Sequence, residues 1–391
     1  MLIFGGGKPQ TYLAKYEPAD SVSGPKHFKK MTSFKKIKQI FSFFILMLTA
    51  ELLCNITVAA AVPATAAPGH AHKKTNVYVA GYSNNGKYNY IPTYWKNGKP
   101  VFLTEGSRQG KATAIVVIGN DVYVAGQVDV PGHSIATYWK NGVAVSLAIG
   151  NYKASATGIA VVGKDVYVSG YESGKNGLLV AIYWKNGTPV PLSNEGHYEQ
   201  TSAIAVSGND VYVVGFEQDM HNLQHSVAKY WKNGKEILLA PADKEATASG
   251  IAVVGNDVYI AGQQRGKFSY MVKYWKNEKE INLSDVAGIG ACSRAVTVAG
   301  NDVYVTGAEK GTDYNLAPKY WKNGKEVNLS TTIRKRNGYA EAIAVAGNNV
   351  YVAGEENNGL CDVAEYWQNG KVIRLSDGKH NAAAYAIAVV R

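Results

Sequence analysis

Three observations in the sequence predict an all-β fold: a seven-bladed β-propeller with four antiparallel strands per blade. The first is an octapeptide, Gly119-Asn120-Asp121-Val122-Tyr123-Val124-Ala125-Gly126. It recurs at 208–215, 255–262 and 300–307, with looser copies from Gly163 and Gly347 and a truncated one from Asn76. Its seven tyrosines lie 44 to 47 residues apart, which is the period of a propeller blade. The second is a Tyr-Trp-Lys-Asn-Gly motif or a close variant. Its tryptophan falls 16 to 19 residues after each motif tyrosine, and together the copies hold all seven tryptophans: Trp95, Trp139, Trp184, Trp231, Trp275, Trp321 and Trp367. The third concerns the ends. The first repeat lacks an opening strand, and the chain closes on an orphan copy of one, 386–390. That strand is expected to become the innermost strand of blade one, which hides the edges an open stack would leave.

Blade two shows how each period resolves. Ala114 to Ile118 is an apolar run, Gly119-Asn120 a turn, and Asp121 to Ala125 a second run rich in β-branched residues. Ile135 to Lys140 is the third strand, with Tyr138 and Trp139 on opposite faces because strand side chains alternate. Asn141-Gly142 is a strong hairpin signal, and Ala144 to Leu147 is the fourth strand. No segment sustains a 3.6-residue apolar period. Blade five has Asn277-Glu278 in place of Asn-Gly. Glu resists positive φ, so that turn is expected to differ in type or length.

The repeats, with their G-N-D-V-Y-V-A-G segment, resemble those of secreted bacterial β-propeller repeat families over residues 76 to 390. The resemblance implies strands running outward from a central channel, and it supplies no catalytic residue. The chain has neither the paired Gly-His and Trp-Asp of one propeller class, nor the kelch double glycine, nor the sialidase Asp box.

The net charge of +11 is concentrated outside the repeats. Residues 1–74 hold ten Lys and three acids, and the remainder has 31 basic against 27 acidic residues. Many of those lysines fall in a repeated turn, so no basic stripe is expected and nucleic-acid binding finds no support. Lys35, Lys36 and Lys38, the apolar run from Ile40 to Leu53 and the A-x-A sites at 59–61 and 64–66 have the layout of a secretory signal peptide. A transmembrane anchor or a lipoprotein on Cys54 fits less well. The sequence thus divides into a mis-assigned or disordered extension (1–30), a signal peptide (31–67), a linker (68–75) and the propeller (76–391). The mature protein is expected to be a secreted, periplasmic or cell-surface monomer with no membrane span.

Residues that recur in every blade read as packing. That applies to the tryptophans and to the Asp of Asn-Asp, assigned to Asx-type turn chemistry in preference to a calcium ring. Function is expected where the repeats differ. Two loop sets vary and open on one face: that between second and third strands, and that joining one blade to the next. With the repeats in register, the residue two before the Ile or Val of each innermost strand reads Thr113, Thr157, Ser202, Ser249, Arg294, Glu341 and Tyr385. These are the candidate ligand-binding residues at the channel mouth. Arg pairs with carboxylates, Glu accepts from hydroxyls, and Tyr stacks or donates. The alternative is an Arg–Glu ion pair that closes the channel. Glu217, Asp219, His221 and His225 can coordinate a metal, but loops of this composition are common and no metal or cofactor is expected. Cys292 and Cys361 can pair in an oxidising compartment, although one lies near the axis and the other further out.

Three functions remain open. The first is a recognition module for a glycan or protein ligand. The second is a hydrolase or lyase acting on polysaccharide, which two carboxylates converging with Arg and Tyr would favour. The third is a surface scaffold, which predicts a featureless face.

Overall fold

The computed structural model describes residues 75–391 except 85, 87–89, 107, 148–152, 195–196, 220–224, 285–289, 312–313 and 330–336. The extension, the signal peptide and all but the last residue of the linker therefore lie outside the described residues. Among the described residues every regular element is a β-strand, and the strands form seven antiparallel four-stranded sheets. Innermost strands of successive blades pack on one another all the way round, and the last packs on that of blade two. The C-terminal strand Ala382–Val390 is the innermost strand of blade one, with Asn76 opposite Val390 and Ala80 opposite Ala386. Closure is therefore as expected. Blade two runs Gly110–Ile118, Asp121–Val130, His133–Lys140 and Val143–Ser146, so its first two strands extend four or five residues further toward the variable face than their apolar runs. No described helix is long and apolar enough to cross a membrane.

The two motifs hold each other. Asn141 and Gly142 have φ of 52° and 82°, the pair of positive values that a tight hairpin requires. The Asn141 side chain accepts from the Val122 amide at 2.8 Å and donates to Asp121 at 2.8 Å. The octapeptide Asp is thus not a cap for its own turn. It ties the neighbouring hairpin, with Lys140 at 3.2 Å. Blades three to six repeat the clamp through Asp165, Asp210, Asp257 and Asp302, so these carboxylates are already engaged by Asn and Lys. The blade-five turn does not change type or length. Glu278 adopts φ of 67° in the glycine position, and Lys276 still faces Lys279. Its carboxylate accepts from the Tyr230 hydroxyl of blade four at 2.9 Å, a contact that offsets the backbone strain.

Each tryptophan is at most 1% exposed and packs against the preceding blade. Trp231 sits among Ile204 and Val213 against Tyr167 and Ala181 of blade three, and Trp95 closes the ring against Ala353 and Tyr366 of blade seven. One apolar cluster per blade junction results.

Every innermost strand carries a β-bulge at the same level. In blade four, Thr201 faces Gly215 and Ala203 faces Val214, which leaves Ser202 unpaired. The final glycine of the octapeptide lies opposite. A Cβ on Gly215 would stand 2.0 Å from the Gln200 carbonyl oxygen, and the seven equivalent glycines give 1.9 to 2.3 Å. Close approach of backbone, and not positive φ, accounts for this glycine. Gly215→Ala is expected to cost about 1–3 kcal/mol, the usual range for overpacking. Urea denaturation of the variant beside wild type checks it.

Candidate functional site

The bulge residues are the seven aligned positions read from the sequence: Thr113, Thr157, Ser202, Ser249, Arg294, Glu341 and Tyr385. A bulge re-aims one side chain away from the regular alternation. Here it does so once per blade, at one level of the channel. In blade six the break spans Arg294 and Ala295.

The hydroxyl members knit blades together. Thr113 Oγ1 donates to the Ala156 carbonyl of the next blade at 2.8 Å. Thr157 lies 2.8 Å from Thr201 Oγ1, and Ser249 donates to Ser293 at 3.3 Å. Ser202 is buried at 1% exposure. Thr113, Thr157 and Ser249 have junction partners already.

Arg294, Glu341 and Tyr385 do gather. Arg294 Nε lies 3.2 Å from Glu341 Oε1, with both side chains under 10% exposed. The guanidinium also sits 4.9 Å from the centroid of the Tyr339 ring. Tyr385 packs on Tyr82 with centroids 5.8 Å apart, and Tyr82 meets Tyr90 edge-on at 4.8 Å. Glu355 lies directly across the ladder from Tyr339. Its Oε2 is buried without a hydrogen-bond partner. Burial, then the charge of Glu341, pushes its carboxyl well above the usual carboxylate range. Burial raises Glu341 as well, and Arg294 pulls it back. Arg294 contacts Glu341 directly, and the Glu355 carboxyl is the one pushed further from its usual range. A raised carboxyl beside an ion-paired one is how two carboxyls in one place take different roles. Tyr339, Glu355 and Tyr385 keep accessible surface above the buried ion pair.

Sequence reasoning missed Tyr339, Glu355, Tyr82 and Lys111, and the repeat register holds the signal for each. Tyr82 and Glu355 both follow the last glycine of their octapeptides. Lys111 and Tyr339 both stand two residues before their ring position. Lys111 Nζ lies 5.7 Å from the Tyr82 centroid, which extends the polar wall into blade two.

A further buried set was also missed, at the position two before each tryptophan. Lys229 bonds Glu199 at 2.9 Å and Glu217 at 2.8 Å. Lys273 bonds Gln264 at 2.8 Å, and Lys319 bonds Glu309 at 2.8 Å. In blade seven the same position is Glu365, which hydrogen-bonds Glu356. Burial, then the neighbouring Glu356, raises the Glu365 carboxyl to about 8.

Among the described residues the possible metal ligands do not converge. Glu217 is taken by Lys229 and by His197 at 2.6 Å. His225 Nε2 bonds the Ala242 carbonyl at 2.7 Å, and His221 lies outside the described residues. Among the described residues no three His, Cys, Asp or Glu side chains form a metal-binding group. Cys292 and Cys361 are free thiols. Cys292 falls within the first strand of blade six, Ala291–Ala299, and not in the connection before it.

No protein-family profile and no curated protein matches the chain. Among solved structures it is similar to a Mycobacterium tuberculosis puromycin-hydrolyzing peptidase, at 10% identity and a TM-score of 0.53, over 77% of this chain and 51% of that one. It is also similar to a Pyrococcus horikoshii acylaminoacyl peptidase, at 13% identity and a TM-score of 0.47, over 79% and 52%. The chain spans about half the length of each. At such identity the first likeness concerns the fold alone.

Proposed function

We propose that this propeller is a recognition module, secreted or held at the cell envelope, that seats a polyhydroxylated ligand of glycan class at the channel mouth. The observation that supports it is the group formed by three adjacent blades: the Arg294–Glu341 pair beneath Tyr339, Glu355 and Tyr385. Sugar rings are bound by aromatic faces together with paired donors and acceptors for their hydroxyls. The raised carboxyl of Glu355 supplies a donor beside the Tyr339 and Tyr385 rings. Secretion rests on the N-terminal basic and apolar segments.

The test is a glycan array probed with wild type and the Tyr339→Ala variant, chosen because Tyr339 retains accessible surface. The variant is expected to lose at least tenfold in affinity for whatever glycan wild type retains. Equal binding by the two proteins, or no glycan bound by wild type, rejects the reading.

One observation favours a second reading, a hydrolase or lyase acting on polysaccharide. Glu341 and Glu355 converge with Arg294 and Tyr385, and carboxyls in opposite protonation states are what acid–base cleavage of a glycosidic bond requires. Release of reducing ends from a polysaccharide by wild type, abolished in Glu355→Gln, would establish it.

A further inference from the structure

Lys111 is the only cation in its tier of the channel. The six sister positions are Ser155, Gln200, Thr247, Cys292, Tyr339 and Ala383. It opens the innermost strand of blade two, Gly110–Ile118, at the end nearest the variable face. Its ammonium lies over the ring of Tyr82, 5.7 Å from the centroid, and Tyr82 in turn packs on Tyr385. The buried lysines of the third strands are matched by acids: Lys229 by Glu199 and Glu217, and Lys319 by Glu309. Among the described residues, Lys111 has no carboxylate within ion-pair distance. Burial lowers its proton affinity, against the longer-range pull of Asp129. A half-buried ammonium held over an aromatic face, with no anion beside it, is a charge that a ligand can complete.

The neighbours narrow the ligand. Arg294 is ion-paired with Glu341, whereas Lys111 has no such carboxylate beside it among the described residues. Glu355, on the second strand of blade seven, has a buried carboxyl oxygen without a hydrogen-bond partner, and burial holds its carboxyl well above the usual carboxylate range. A neutral carboxyl donates well to a carboxylate, whose basicity resembles that of its own conjugate base, and poorly to a sulfate ester, which is a far weaker base. A lysine contributes a point charge, without the bidentate fork of arginine.

We propose that the channel mouth selects an acidic glycan, its sugar carboxylate held between the Lys111 ammonium and the Glu355 carboxyl. This inference rests on the channel-mouth reading above and adds the charge class of the ligand.

The experiment is isothermal titration calorimetry of the full chain, without its N-terminal leader, against matched polysaccharides. The probes are oligogalacturonate, hyaluronan and oligoalginate, each with its carboxyl-esterified neutral form, together with dextran sulfate. At least one free acid is expected to bind tenfold or more tighter than its ester, with a preference that shrinks as salt rises from 0.05 to 0.3 M. Lys111→Met is expected to bring that acid to the level of its ester, and Lys111→Arg to restore part of the preference. Esters that bind as well as the acids, a preference that survives Lys111→Met, or tighter binding of dextran sulfate would overturn the inference while the channel-mouth reading stands. If no probe, acidic or neutral, binds in either assay, both fall together.

Discussion

Glu365→Gln is expected to stabilise the propeller strongly at pH 8 and hardly at all at pH 5. Glu365 and Glu356 stand on adjacent strands of blade seven, 3% and 6% exposed, each with one carboxyl oxygen lacking a partner. The only basic group facing them from the next strand is Arg374, across the ladder from Glu365. Gly338 and Pro318 border the pair on the side of blade six without offering charge. Glu365 titrates near 8 in the fold against 4.5 when free. A raised carboxyl favours folding while protonated, so its contribution is complete below about 4.5 and is lost as pH climbs through 8. At 1.36 kcal/mol per unit the loss is roughly 4–5 kcal/mol at the upper limit. Gln keeps the volume and removes the titration. Glu365→Lys goes further, because it rebuilds the pair that blades four and six already use, Glu217 with Lys229 and Glu309 with Lys319. Urea denaturation of wild type and both variants between pH 5 and 8.5 checks this. A wild-type stability that is flat across that window, or a gain of equal size at both ends, would show that the dyad is not held as described.

Arg294→Ala is expected to cost about 3–5 kcal/mol, the usual penalty for stripping the partner from a buried charge. The variant leaves Glu341 and Glu355 together without a cation. Both carboxyls then rise further, so the penalty should be smaller at pH 5 than at pH 8. Replacing both partners, as Arg294→Met with Glu341→Leu, is expected to recover most of the loss, because packed apolar groups remove the desolvation cost of the pair. Denaturation midpoints of the single and double variants decide the matter. A single variant as stable as wild type would mean that water already reaches the pair.

The repeats made the architecture legible because turn chemistry and packing are local and are stated seven times over. Asn141-Gly142 and Trp139 announced a hairpin and a junction before any coordinates were needed. The blade-five turn was misread because propensity says nothing of Tyr230, a residue 48 positions earlier in the chain that anchors Glu278. The candidate site was legible only in part. Aligning the innermost strands located Arg294, Glu341 and Tyr385. It could not separate them from Thr113 or Ser249, whose hydroxyls look equally free in sequence and are spent on the next blade. Glu355 and Lys111 escaped because each lies on a different tier, and only the closed ring brings the tiers together.

The bulge has a consequence of its own. A residue inside a regular ladder is judged by its cross-strand neighbour, so changing it disturbs two strands at once. The bulged residue has no such neighbour. Seven positions around one axis can therefore change without breaking a cross-strand pair, while the glycine opposite and the tryptophan behind keep each blade in place. In that sense the channel is a dial with seven stops. Three of them carry hydroxyls that tie one blade to the next, and three adjacent ones gather Arg294, Glu341 and Tyr385.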